Sequence, residues 1–526
     1  MTTKKQFLWS VLLFLISLGS HGQTTLKLSD DVHYLGNTST DGQVESFLGI
    51  PFAMSPVGDL RWRIPEPLNL KSGTYSAQHF PKACMQGSHI VNWYRNVVEG
   101  FGGDPDVVTS PDFSEDCLYL NIWRPTKRGN APLPVAVFIH GGSNKGGWSY
   151  EPNYIGENLA REDLIVVTIA YRLGIFGFFS HPDLDISNFG LLDQIAALRW
   201  IKTNIAAAGG NPDNVTVFGE SAGASNIEYL MISPLAKGLF QRAIHQSGGW
   251  PIYDRNTPDM TLARSQKLAE LLGSAEAPAS LEAMRENTAD ELMASADEAY
   301  AGHFFDPVID GHGVTTSVSE ALATQAFPPI DLIIGSNRDE WRIYLAEDQT
   351  VDKWLAETYP NYQINAAEKD TLMDILDEDK VMPRQLDRLI SAHGYVCPSM
   401  ILADAVRSRG GKSWFYYFTR QREGEQAATM GAYHGAELPY VFNTHDDWLP
   451  THDNDYVLTG TVVEYWTNFI RTGDPNVEKV PNWPPFKMRE ATTQVLDTQV
   501  SSVVHSSLPL CDLLNTFAQK NTPNGT

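Results

Sequence analysis

The sequence predicts an α/β fold with a large, mostly parallel central sheet that helices cover on both faces. Two observations support this prediction. Helical patterns over residues 191–204 and 222–232 alternate with short apolar runs. The runs are rich in β-branched and aromatic residues, as is typical of strands buried on both faces. They span residues 133–139, 164–171, 214–218, 243–246, 331–334 and 414–418.

Further elements extend this sheet. Residues 29–48 alternate polar and apolar side chains, with turns expected at Asn37 and Gly42, which predicts an antiparallel N-terminal portion. Residues 258–301 and 366–393 are expected to be helical insertions at one edge of the sheet. A last helix over 455–471 should end at the Thr-Gly-Asp-Pro segment that follows, because glycine supplies a left-handed cap and proline blocks continuation.

Residues 1–22 have the features of a cleaved secretion signal. Two lysines precede an apolar run over residues 7–18, and small residues follow it. The run is too short to span a bilayer comfortably, although an uncleaved anchor is the alternative. We expect no later membrane span. The prediction is a signal peptide over 1–22, a single domain over 23–526, and a secreted or periplasmic protein with no membrane association after cleavage.

Charge and composition exclude several classes of function. The chain has 526 residues, a net charge of −24 and 42% hydrophobic residues. A negative field of this size repels phosphate backbones, so we expect no nucleic-acid partner. The composition also excludes a disordered chain and a multi-span membrane protein. It leaves the oligomeric state open.

Four cysteines in an exported chain are expected to form disulfides. They lie at positions 84, 117, 397 and 511, and three pairings are possible. Spacing along the chain favours Cys84 with Cys117, which leaves Cys397 with Cys511. A metal site is disfavoured because no two cysteines are closely spaced and no histidine pair accompanies them. We predict no metal and no cofactor.

The most informative segment is Gly-Glu-Ser-Ala-Gly over residues 219–223, which follows the strand predicted at 214–218. A serine at the apex of a sharp strand-to-helix turn is strained and exposed, and flanking glycines allow the close approach of the neighbouring strand. The helix N-terminus behind Ser221 favours negative charge. This pattern predicts a serine nucleophile for acyl transfer.

A second glycine-rich turn, His-Gly-Gly-Ser over residues 140–143, follows the strand predicted at 133–139. Glycines leave room for backbone N–H groups to converge on a small anion. Because both turns leave strands that should end at the same edge of the sheet, we expect this turn to stabilise an oxyanion. A plain surface turn is the alternative.

A serine nucleophile also needs a base and an orienting acid. Composition does not choose them, because carboxylates are abundant and five downstream histidines are candidates: His393, His434, His445, His452 and His505. Glu340 follows the strand at 331–334, and His434 follows the strand at 414–418 through a longer loop.

From residue 43 to residue 511 the chain resembles the type-B carboxylesterase and cholinesterase-like family of α/β-hydrolases. The resemblance is carried by residues 51–53 (PFA), 56–62 (PVGDLRW), 114–121 (SEDCLYLN), 140–142 (HGG), 190–194 (GLLDQ), 204–205 (NI), 219–223 (GESAG) and 434–440 (HGAELPY).

The resemblance implies a role for each matching residue. Ser221 would be the nucleophile, His434 the general base and acid, and Glu340 the orienting carboxylate. The implied oxyanion hole and disulfides are Gly142, Ser143 and Ala222, and Cys84–Cys117 and Cys397–Cys511. Members of the family usually have glycine after the acid, whereas Trp341 follows Glu340 here, so Asp339 stays a competing acid.

Pocket residues are expected at Trp250, Phe305 and Trp341, with core packing as the alternative for Trp250 and Phe305. The resemblance implies a serine hydrolase acting on small-molecule or polymer carboxylic esters. A catalytically silent adhesion or binding protein on the same fold is one alternative. A hydrolase of amide, carbamate or thioester bonds is another, because the same triad chemistry serves all of these bonds.

Overall fold

The computed structural model of the chain describes residues 22–377 and 382–521. The predicted signal peptide lies outside these residues except for Gly22, the first residue of β1. The strands are β1 (Gly22–Lys27), β2 (Val32–Thr38), β3 (Val44–Pro51), β4 (Gly73–Ser76), β5 (Ala83–Cys84), β6 (Phe113–Ser114), β7 (Tyr119–Pro125), β8 (Leu133–Ile139), β9 (Ile165–Ile169), β10 (Gly210–Glu220), β11 (Arg242–Gln246), β12 (Asp331–Asn337), β13 (Ser413–Phe418), β14 (Thr492–Leu496) and β15 (Ser501–Val504).

Helices connect and flank these strands. They are α1 (His89–Gly100), α2 (Glu157–Ala160), α3 (Gly174–Gly177), α4 (Phe189–Asn204), α5 (Ala222–Ile232), α6 (Pro258–Leu272), α7 (Leu281–Glu286), α8 (Ala289–Ala299), α9 (Val318–Ala323), α10 (Val351–Thr358), α11 (Ala366–Leu376), α12 (Met382–Ser391), α13 (Cys397–Ser408), α14 (Glu425–Met430), α15 (Leu438–Phe442), α16 (Asp453–Thr472) and α17 (Leu508–Lys520).

One large mixed sheet contains most of the strands, in the order β1-β2-β3-β7-β9-β8-β10-β11-β12-β13-β14-β15, with β4 beside β2. Neighbouring strands from β9 to β14 are parallel. The six predicted strands all lie in this parallel centre, and β1, β2, β3 and β7 form the antiparallel N-terminal portion. The predicted fold class is confirmed.

Buried side chains cover both faces of the sheet. In β8, Val135, Val137 and Ile139 belong to the larger core, together with residues of α4, α5 and α13. The alternate residues Ala136 and Phe138 belong to the opposite core, with residues of α15 and α16. This alternation follows from the period of two along a strand.

Local predictions were confirmed with two corrections. Gly42 and Gly473 have φ values of 70° and 83°, as the turn and the helix end require. Asn37, predicted in a turn, lies inside β2, because its backbone is paired with both β1 and β3. A later segment, Arg384–Ser408, is long and apolar enough to cross a membrane, contrary to our expectation, but 83% of its 18-residue apolar window is buried within the fold, as in the core helix of a globular protein.

Candidate active site

Four strand ends bring the candidate residues together at the carboxyl edge of the sheet. The turn after β8 holds Gly142 and Ser143, and the turn after β10 holds Ser221. Glu340 follows β12, and His434 lies between α14 and α15 in the segment that follows β13. Because these strands are parallel, their carboxyl ends meet on one side, where α/β folds place their ligand sites.

Ser221 sits on a sharp turn between β10 and α5, with φ 57° and ψ −123°. A Cβ at Gly223 would lie 2.0 Å from the carbonyl oxygen of Ile139, and one at Gly219 would lie 2.8 Å from the same oxygen. The amide of Ser221 donates to the carbonyl oxygen of Gln246 in β11 at 2.9 Å. The glycines therefore permit the close approach of β8 that the turn requires.

His434 links Ser221 to Glu340. Its Nε2 lies 2.8 Å from Ser221 Oγ, and its Nδ1 lies 2.6 Å from Glu340 Oε2. Glu340 is fully buried, and its other oxygen, Oε1, accepts from the amide of Asn337 at 2.7 Å. The serine, imidazole and carboxylate thus form a continuous hydrogen-bonded chain with the carboxylate fixed at both oxygens.

Asp339, the competing acid, is engaged on the other side of the turn. Its Oδ2 accepts from the amide of Ala432 at 2.7 Å and pairs with the guanidinium of Arg338 at 2.8 Å. The structure therefore brings Glu340, and not Asp339, to the imidazole of His434.

The other candidate histidines are held elsewhere. The ring of His393 stacks on Tyr253, and His452 caps α16. His445 Nε2 lies 2.7 Å from a threonine hydroxyl of α16, and His505 Nδ1 accepts a backbone amide hydrogen bond. Burial lowers the pKa of both His393 and His445 to about 4, so these rings are neutral.

Glu220, which the sequence presented only as part of the serine motif, lies beside the imidazole. Its Oε1 is 3.2 Å from His434 Nε2. Burial raises the pKa of Glu220 to about 8. Burial lowers the pKa of His434, but the charges of Glu220 and Glu340 outweigh this effect and raise it to about 9. The pair therefore holds protons to a higher pH than either group would in water.

The turn after β8 is built to expose its amides. Gly142 has φ 95° and Ser143 has φ 57°, and a Cβ at Gly142 would lie 2.2 Å from the carbonyl oxygen of Gly146. Gln86 holds the far end of the turn with two hydrogen bonds to the backbone of Gly147, at 2.7 and 2.8 Å. Gly142 and Ser143 line the cavity beside Ser221, as does Ala222 at the start of α5.

A cavity of about 510 Å³ lies above these residues. An aromatic wall on the side of His434 consists of Trp250, Trp341, Tyr344 and Tyr395; the ring of Tyr395 is 5.3 Å from the imidazole. Trp250 and Trp341 were predicted at this position, whereas both tyrosines were missed because they lie in segments with no motif of their own.

Phe305, predicted in the pocket, lies outside this cavity. Its ring stacks on Tyr300 at 4.9 Å, and only 4% of the residue is exposed. The adjacent Phe304 lines the cavity instead. Phe305 therefore packs in the core, which was the alternative to a place in the pocket.

Both predicted disulfides are present, Cys84–Cys117 and Cys397–Cys511. Cys84 of the first disulfide lies two residues before Gln86. This disulfide therefore helps to fix Gln86, whose hydrogen bonds to Gly147 hold the turn after β8. Within the described residues, no group of three or more His, Cys, Asp or Glu side chains is placed to hold a metal ion.

Comparisons with known proteins place the chain in one family. The family model of the carboxylesterase family matches residues 33–509. Cocaine esterase of Oryctolagus cuniculus is 33% identical over 87% of this chain and 88% of its own length. Para-nitrobenzyl esterase of Bacillus subtilis is 33% identical over 88% and 93%. The solved structure of a thermophilic PNB esterase superimposes with a TM-score of 0.78 at 29% identity, covering 94% of this chain and 99% of its own. The chain belongs to the carboxylesterase family and is a carboxylic-ester hydrolase.

Proposed function

We propose that this hydrolase is an exported serine esterase that forms an acyl-enzyme on Ser221, with His434 as base and acid and Glu340 as the orienting carboxylate. The observation that carries the proposal is the pair of hydrogen bonds made by His434, 2.8 Å to Ser221 Oγ and 2.6 Å to Glu340 Oε2. The distance to Ser221 is short enough for direct proton transfer. The distance to Glu340 is short enough for a strong, charge-assisted hydrogen bond that orients the imidazole.

The reaction has two half-reactions on this geometry. Ser221 Oγ gives its proton to His434 Nε2 and bonds to the ester carbonyl carbon, while the carbonyl oxygen takes the π electrons. His434 then protonates the departing alkoxide, which leaves the acyl group on Ser221. Water, deprotonated by His434, attacks the acyl carbon, and its proton returns to Ser221 as the acid departs.

The oxyanion of both half-reactions would accept hydrogen bonds from the amides of Gly142, Ser143 and Ala222. Support comes from their position around Ser221 and from the positive φ of the first two. Backbone donors fixed before the reaction stabilise the developing charge without reorganisation.

Small-molecule carboxylic esters are the substrates that the family implies, and a cavity of about 510 Å³ has the size of a small-ligand site. Export is supported by the leader-like residues 1–22 and by two disulfides, which are typical of oxidising compartments. N-terminal sequencing of the mature protein should begin at Gln23.

A covalent serine probe tests the mechanism. A fluorophosphonate should add one mass increment to the peptide that contains Ser221, and Ser221→Ala should abolish both labelling and turnover of 4-nitrophenyl acetate. Ser408→Ala, at the exposed end of α13, is a control for the loss of a serine hydroxyl and should keep the activity. Undiminished hydrolysis by Ser221→Ala would refute the acyl-enzyme. Matched 4-nitroanilide and thioester substrates measure the preference for the ester bond.

A further inference from the structure

One wall of the active-site cavity contains an arginine in contact with two aromatic rings. The guanidinium carbon of Arg255 lies 4.6 Å from the ring centre of Trp250 and 4.2 Å from that of Phe304. All three residues line the cavity, and 22% of the arginine side chain remains exposed. Contact with aromatic rings favours the cation and leaves its N–H groups free for hydrogen bonding.

Most of that hydrogen-bonding capacity is unused. Among the described residues, Asp306 is the one acceptor for this side chain, with its Oδ2 at 2.9 Å from Nη2. Nε is buried and has no acceptor in that part of the chain. A guanidinium carries five N–H donors and is always charged. A buried donor without an acceptor is costly and points to a ligand that completes the site.

The charged groups of the cavity include one fixed cation at this position. Arg255 is the only Lys or Arg among the described residues that line the cavity. Of the carboxyl groups in the lining, burial raises the pKa of Glu220 to about 8 and that of Glu151 to about 7, so both are largely uncharged in mildly acidic solution. Asp306 is the acid that offsets the guanidinium directly.

We propose that Arg255 binds a free carboxylate carried by the substrate, in its acyl or its alcohol part, while the ester carbonyl lies at Ser221. The substrate class is therefore esters that carry a carboxylate besides the ester bond, such as half-esters of dicarboxylic acids. This inference rests on the proposed function only in placing the ester at Ser221. Arg255 is a specificity residue that contacts substrate without taking part in proton transfer.

Matched substrate pairs test this subsite. The first pair, mono-4-nitrophenyl glutarate and 4-nitrophenyl pentanoate, differs by a carboxylate in the acyl part. The second, 3-acetoxybenzoate and phenyl acetate, differs by a carboxylate in the alcohol part. In at least one pair, Arg255→Gln should lower kcat/KM for the anionic ester about 10- to 100-fold, mainly through KM, because a charged hydrogen bond is lost. The neutral partner should change less than about threefold.

Two further variants sharpen the result. Asp306→Asn removes the charge that offsets the guanidinium and should raise kcat/KM for the anionic ester. Lys267→Gln removes a surface charge paired with Glu298, and should leave the ratio within each substrate pair unchanged. Equal effects of Arg255→Gln on both members of both pairs would overturn the proposal.

A binding measurement separates this inference from the proposed function. In a Ser221→Ala background, calorimetry with monomethyl glutarate and with 3-acetoxybenzoate should show binding of at least one of them, weakened about 10-fold or more by Arg255→Gln. If the wild type showed no ester turnover but Arg255→Gln still weakened binding of the anion, the serine mechanism would be refuted and the subsite supported. Binding of neither anion, or binding indifferent to Arg255→Gln, would refute the subsite whatever the activity.

Discussion

Replacing Glu340 by glutamine is expected to lower kcat sharply without unfolding the protein. The carboxylate has two partners: Oε1 accepts from the amide of Asn337 at 2.7 Å, and Oε2 faces His434 Nδ1 at 2.6 Å. In the variant the amide oxygen must still accept from Asn337, which turns the NH₂ group toward Nδ1. The imidazole is then fixed with its proton on Nε2, and it can no longer accept the proton of Ser221.

The size of the loss follows from the charge removed. Two unit charges 2.6 Å apart in a medium of effective dielectric constant about 20 attract each other by about 6 kcal/mol. Each 1.36 kcal/mol corresponds to about a factor of ten in rate, so kcat should fall by about 10⁴. Glu220 does not replace the lost hydrogen-bond acceptor at Nδ1, because its Oε1 faces the other ring nitrogen, Nε2, at 3.2 Å.

The measurement is kcat for 4-nitrophenyl acetate at pH 7, with thermal unfolding as a check on the fold. Asp339→Asn is the matched control, because Asp339 pairs with Arg338 and the amide of Ala432. It should lower stability by about 1–3 kcal/mol but change kcat less than about tenfold. If Asp339→Asn lost the activity and Glu340→Gln kept it, the assignment of the acid would be wrong.

Three further predictions concern proton affinity, the turn and the disulfides. Glu220→Gln removes a charge that raises the pKa of His434, so the ascending limb of the profile of kcat/KM against pH should move to lower pH; an unmoved limb would contradict this coupling. Gly223→Ala places a Cβ 2.0 Å from a β8 carbonyl oxygen. It should abolish turnover and lower the free energy of unfolding in urea by about 3 kcal/mol. An active, stable variant would show that the turn relaxes. Removing both Cys397 and Cys511 opens a loop of 114 residues and should lower the free energy of unfolding by about 5 kcal/mol; an unchanged denaturation midpoint would argue against it.

The sheet could be predicted where its strands are buried on both faces. Every residue of β9 is buried, and such strands appear in the sequence as continuous apolar runs. The edge strands gave no such signal. Every residue of β15 is exposed, and β1 exposes most of its residues, so their sequences resemble those of loops.

The site was predictable to the extent that backbone constraints act locally. The turn at Ser221 and the turn after β8 each require glycines within a few residues, so each has a sequence signature. The loop that brings His434 to Ser221 has no comparable constraint. Five histidines satisfied the same chemical need, and the choice among them came from the family resemblance.

Pocket side chains are the least predictable part, because their direction depends on contacts between distant segments. Phe304 and Phe305 are chemically identical neighbours, yet one lines the cavity and the other stacks on Tyr300. Arg255 comes from a third segment, and its chemical role depends on the ring of Phe304 lying against it at 4.2 Å. Catalytic power in this fold therefore resides in turns at strand ends, whereas the choice of substrate resides in loops that meet only in three dimensions.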